Sequence, residues 1–183
     1  MVTVCKCRWA ETSLAVAGAA ALWLAGGCIA PGGDTKAALT DLEQAPVVAP
    51  AGRWRARLSL AAAWPEGVAT CLNDSCDLIV VRTPSEWAAV WRTLGAGSCP
   101  AAPDLSAGAV VGLSARLGEP ADGSWPLELT AARVDQGLGL LWWQIEAGLY
   151  HPVAGPSFVD LAYVRGLRQV RGVYIGPESF LLP

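Results

Sequence analysis

Charge, histidine and a full catalytic set are the three things this 183-residue chain has little of. Asp, Glu, Lys and Arg make up only 16% of it, and the net charge is −3. A nucleic-acid binder draws its affinity from neutralising phosphates, so this balance excludes that class. His151 is the one histidine. With a C-x₄-C pair as its only other ligand signal, the chain offers no metal site, and no cofactor is expected. The sharp G-x-S-x-G elbow is absent, and so is a phosphate-cradling glycine loop; the 20 glycines fall at turns instead. Paired carboxylates are weak as well: Glu119 with Asp122 sits on a turn, and Asp135 with Glu146 lies on facing hairpin arms. Ser157 and Asp160 stand near His151 in sequence, and Cys99 makes a thiol pair with it by composition alone, with nothing in the spacing to support it. Three such residues occur in almost any chain, so His151 supports a hydrolase only as a third reading.

What is abundant is tryptophan, nine residues against two Phe and three Tyr. Each indole buries a large area, so core and sheet packing is the first expectation. An exposed aromatic platform for a glycan is the second, with Trp125, Trp142 and Trp143 as its candidates. Trp142 and Trp143 are adjacent on a strand and face opposite ways, so both are buried only if the sheet is covered on both sides.

The N-terminus reads as an export signal over residues 1–27. Lys6 and Arg8 supply positive charge, and an uncharged, mostly apolar run from Thr12 to Gly27 is too short for a comfortable membrane span. Leu24-Ala25-Gly26-Gly27-Cys28 resembles a bacterial lipobox, which implies that Cys28 is acylated and holds the chain on a lipid bilayer. By resemblance to bacterial lipoprotein sorting, Ile29 in place of aspartate favours the outer membrane where there is one. Residues 28–52 are rich in Ala, Pro and Gly without a sustained period and are expected to be a flexible tether.

The folded unit is expected over residues 53–183. Thr83 to Gly95 carries a complete helix signal. Thr83 is placed to cap, Pro84 suits the first helical position, and Glu86 completes a capping box. Trp87, Val90, Trp91 and Leu94 make one apolar stripe, and Gly95 stops it. Around this helix the chain reads as strands. Arg53–Leu60 alternates, with Trp54, Ala56, Leu58 and Leu60 on one face and Arg53, Arg55, Arg57 and Ser59 on the other, which is expected to be a wet basic face. Val68–Arg82 reads as a hairpin closed by a Cys71–Cys76 disulfide, worth about 2 kcal/mol for so short a loop. With Cys28 acylated, Cys71, Cys76 and Cys99 leave an odd count, so Cys99 is either free and buried or paired with one of the other two. Ala109–Ala115 is a short apolar strand, Leu127–Val134 and Leu138–Ala147 pair through Gln136-Gly137, and Phe158–Val164 pairs with Val170–Ile175. The fold class is α+β: an antiparallel sheet, curled toward a barrel, with one inserted helix.

Arg165, Arg168 and Arg171 gather near the last hairpin. They read either as edge charge that discourages aggregation or, with Tyr150 and His151 of the Gly148–Pro156 loop, as a docking site for an acidic segment of a partner.

The strand Leu78–Val81, the Glu86-Trp87…Trp91 helix, and Pro103-Asp104-Leu105-Ser106 before Val110-Val111-Gly112 resemble the C-terminal domain family of the protease-complex subunit PrcB, over roughly Cys76 to Ile175. That resemblance implies a non-catalytic envelope domain, in its namesake a companion subunit of a surface serine protease. The leading expectation is therefore a lipid-anchored protein–protein interaction module, ahead of a glycan- or peptidoglycan-binding module.

Overall fold

The computed structural model describes residues 40–59, 62–95, 97–146, 149, 155–175 and 178–182. In chain order these form a helical turn α1 (40–44), β1 (Val47–Val48), β2 (Gly52–Leu58), β3 (Ala69–Asn73), β4 (Cys76–Val81) and α2 (Pro84–Leu94). Then follow β5 (Gly108–Arg116), β6 (Leu127–Asp135), β7 (Leu138–Ile145), β8 (Ser157–Arg165), β9 (Gln169–Ile175) and β10 (Glu178–Leu181).

The strands form two five-stranded sheets. Sheet A runs β1-β6-β7-β9-β10 and sheet B runs β2-β8-β5-β4-β3. All described pairings are antiparallel except β7 with β9, which is parallel. Apolar residues of both sheets meet between them: Leu78, Val111, Leu113 and Phe158 from sheet B, and Leu127, Leu129, Leu141, Trp143 and Val173 from sheet A. Each such aliphatic side chain, once fully buried, contributes roughly 1.5–3 kcal/mol of transfer free energy. The domain is thus a sandwich of the α+β class, and its sheets do not close into a barrel.

The helix forms as its sequence dictates. Thr83 is extended (φ −131°, ψ 154°), its Oγ1 accepts from the Glu86 N–H at 3.2 Å, and Glu86 Oε2 accepts from the Thr83 N–H at 3.1 Å. Gly95, at φ 61°, closes the last turn through its N–H to the Arg92 carbonyl. Trp87, Val90 and Leu94 are buried against the outer face of sheet B, on Ile79, Val81, Val110, Leu161 and Tyr163. The Trp87 indole donates to the Pro100 carbonyl at 2.9 Å and meets Trp54 edge-on, with 4.8 Å between ring centroids. Beneath the helix β5 and β8 approach closely. A Cβ on Gly112 would stand 2.2 Å from Leu161 Cδ2, so a side chain there would force Leu161 to shift.

Two expectations about connection fail for identifiable reasons. Phe158–Val164 does not pair with Val170–Ile175: β8 lies inside sheet B between β2 and β5, while β9 lies in sheet A. Every residue from Ser157 to Val164 is buried. A strand apolar on both faces needs cover on both, which a central position under α2 supplies and a terminal hairpin does not. The expected tether, in its described part, is ordered. Leu42 is buried and Val47–Val48 pairs with Arg133 and Ala132 of β6, so the folded unit begins before Arg53. The chain then leaves the edge of sheet A and enters the edge of sheet B as β2, with Gly52 opposite Tyr163. The β6–β7 hairpin does form as read. Gln136 (φ 48°) and Gly137 (φ 87°) are both left-handed, as a two-residue turn matched to strand twist requires.

Candidate functional site

Two polar constellations stand out, one between the sheets and one outside them. The inner one begins with the Arg stripe of β2. Arg55 and Arg57 are exposed, as a wet face requires, and Arg53 is half-buried. All three lie on the face of sheet B that looks toward sheet A, the face on which Asp160 of β8, the register partner of Arg55, is fully buried. Arg55 Nε lies 3.3 Å and Arg53 Nε 3.6 Å from Asp160 Oδ1, Arg53 pairs with Glu128 of β6, and Arg57 pairs with Glu119.

Sheet A ends at this side with β6, which β1 flanks only at Ala132 and Arg133. Farther along, at Leu129, no described strand flanks β6 on that side. The Leu129 N–H donates to Asp160 Oδ2 at 3.0 Å, and its carbonyl accepts from Arg53 Nη2 at 2.7 Å. One acceptor and one donor on the same residue do what a neighbouring strand would do, and they seal the seam between the two sheets. Burial pushes the Asp160 carboxyl above its ordinary range, against the downward pull of the Leu129 N–H and then of the Arg53 and Arg55 charges. With both oxygens engaged and no opening to solvent, Asp160 is a clasp.

The outer constellation lies on the far face of sheet A. Trp143 points into the core and is 2% exposed, whereas Trp142 points out and is half-buried. The parallel register sets Trp142 beside Tyr174, and their rings stack 5.2 Å apart at 10°. From β6, on the opposite side, the Arg133 guanidinium lies 5.9 Å from the Trp142 ring centroid. Both faces of that indole are therefore taken, one by a ring and one by a cation. Tyr174 donates its hydroxyl to Glu43 Oε1 at 2.8 Å, and Arg133 donates to the Ala45 carbonyl. Burial first, and then the Glu43 carboxylate, raise the Tyr174 phenol above its usual value of 10. Glu43, Thr130, Ala131, Arg133, Trp142 and Tyr174 line an open hollow of about 530 Å³.

The residues singled out in the sequence are dispersed. Cys28, Tyr150 and His151 lie outside the described residues. Arg165 ends β8 and Arg168 follows it, both exposed, and the Arg168 carbonyl accepts from Arg82 Nε at 3.3 Å. Arg171 is half-buried on β9 in the other sheet, so the three arginines do not form one patch. The expected Cys71–Cys76 bridge is not made. The register places Cys71 opposite Asp77, so Cys71 and Cys76 occupy opposite faces of the hairpin: Cys71 is exposed and Cys76 is in the core. Trp125 is half-buried against the core, edge-on to Phe158 and beneath Arg55, which removes it as a platform. Among the described residues no three His, Cys, Asp or Glu side chains gather as a metal site needs, and no helix is long and apolar enough to cross a membrane.

Glu43, Arg133, Tyr174 and the Asp160 clasp carry no local signal in the sequence. Each depends on which strands become neighbours. The nearest clue was Arg53-x-Arg55-x-Arg57, a stripe that asks for acidic partners as readily as for water. No family model, no curated protein and no solved structure matches this chain at a significant level.

Proposed function

We propose that this chain is a lipid-anchored envelope protein, exported by its leader and acylated at Cys28, whose domain works by protein–protein contact. The hollow on the outer face of sheet A is its contact surface. The observation that supports this reading is the make-up of the hollow: Trp142, Tyr174 and Arg133 side by side, with the Glu43 carboxylate at the rim. Trp, Tyr and Arg are the residue types that dominate binding energy at protein interfaces. The resemblance to the PrcB C-terminal domain family makes a surface protease the first partner to test, with this chain as its accessory subunit.

A glycan-binding module is the competing reading, favoured by the partial exposure of Trp142 and Tyr174. Sugar stacking needs an open ring face, and the Trp142 faces are occupied by Tyr174 and Arg133. The ring edges that remain suit side-chain contact better than a pyranose. Crosslinking in native membranes tests the two together. Recovery of one specific protein by the wild type, lost on Trp142→Ala with folding intact, is the expected result. Tryptophan quenching by peptidoglycan fragments, with no protein recovered, would replace this reading with the glycan one.

A further inference from the structure

The outer face of sheet A is partly covered by the chain itself. Leu140 is fully buried although it points away from the sandwich core, as its register partners Arg133 and Gly172 place it. Leu42 (4% exposed) and Ala45 (7%) are likewise buried outside both main apolar clusters. The segment that carries them is tied to this face by Glu43 on Tyr174, by the Ala45 carbonyl on Arg133, and by the pairing of Val47–Val48 with Arg133 and Ala132. Residues 40–48 are thus a strap tied to the face that carries Leu140.

Its hold is thin. The strand part is two residues long, where β2 pairs over seven, and Val47 is 58% exposed, the one large apolar side chain so exposed among the described residues. Elements with few buried contacts and short pairing open locally long before the whole fold does.

We propose that residues 40–48 are a releasable strap. Released, it uncovers Leu140 together with Arg133, Trp142 and Tyr174. It also frees the β6 edge at Ala132–Arg133 for an extended segment of a protein partner, which adds as a strand where Val47–Val48 now lies and sets an apolar side chain over Leu140. The occupant is specified by what the strap itself presents to that face: two paired residues, an apolar side chain three or more positions before them, and a carboxylate for Tyr174. The inference rests on the reading of this face as the contact surface, yet its test needs no partner.

Amide hydrogen exchange on the full chain decides it. Backbone amides of residues 42–48 are expected to exchange at least about 100-fold faster than those of β5 and β8. Tyr174→Phe keeps the ring stack but removes the Glu43 tie, and should speed the strap amides a further ~3–10-fold while leaving β5 and β8 unchanged. A labelled peptide of residues 40–48 should bind Leu42→Ser, whose strap is loosened, more tightly than wild type. Strap amides that exchange only with global unfolding, or a peptide that binds neither protein, would overturn the strap. Either result would leave the Trp142→Ala crosslinking outcome standing on its own.

Discussion

On sheet B, α2 meets a face of Ile79, Val81, Val110, Leu161 and Tyr163 with a matching stripe, and its ends are closed by Thr83, Glu86 and Gly95. On sheet A the outer face carries Trp142, Tyr174 and Arg133, and a short strap covers only part of it. Both faces are rich in aromatic rings, so aromatic content alone does not distinguish structure from contact. What separates them is how completely the rings are enclosed. Trp87 is 2% exposed and its N–H is satisfied by Pro100, whereas Trp142 is open at its edges. One tryptophan is spent on stability and the other is available to a partner.

Substitutions can break this contrast. Trp87→Ala should cost about 4 kcal/mol in urea unfolding, since it leaves a cavity that α2 and β8 cannot fill. If Trp142→Ala costs as much, the two faces are equally structural and the contrast fails. Asp160→Ala comes next, at about 3 kcal/mol, because it leaves the buried Leu129 N–H without its acceptor and takes from Arg53 and Arg55 the buried one of their two carboxylates. Asp160→Asn keeps an acceptor and should cost only about 1 kcal/mol.

The same carboxyl has a pH signature. Its folded value is raised, so the folded state holds the proton more tightly than the unfolded one does. That contribution to stability is fully present below the unfolded value of about 3.9 and is lost as pH rises through the folded value. Urea unfolding of Asp160→Asn across that window should lack the slope that the wild type has.

Smaller effects sharpen the comparison further. Thr83→Ala should remove about 1 kcal/mol by uncapping α2, while Trp142→Ala should remove about 1 kcal/mol or less. Smallest of all, Glu43→Gln should lower the Tyr174 titration followed by phenolate absorbance, because one of the two causes of its rise is gone. The raised phenol adds stability below about pH 10 that disappears as pH climbs through its folded value. An unchanged titration would mean that Glu43 does not hold the strap to this face.

Local structure was the legible part of this protein. The limits of α2, its caps, the β6–β7 turn at Gln136-Gly137 and the β3–β4 hairpin follow from residues close together in sequence. Partnership between distant segments was not legible. An apolar strand such as Phe158–Val164 looks the same whether its neighbour is the next strand or, as here, β2 and β5. The Arg stripe of β2 is solvated at Arg55 and Arg57 as its alternation implies, but its acidic partners, Asp160 on the neighbouring strand and Glu128 on β6, could not be read from it. Residues 40–48 resemble linker because neither their short helical turn nor their two-residue strand would hold without the face of sheet A beneath them. Of the candidate site only Trp142 was legible, as one of an adjacent pair that must face opposite ways; Glu43, Arg133 and Tyr174 come from three other segments and fall in this second category.

The position of β8 also sets the order in which the molecule can be completed. It lies between β2, from near the start of the described chain, and β5, so sheet B remains in two pieces until the segment ending at Arg165 is present. A chain that emerges N-terminus first exposes β2 without a neighbour throughout that interval, and such long-range closure is intrinsically slow. The three arginines along β2 give that waiting strand a charged flank, which keeps it from pairing with another copy before its own partner arrives.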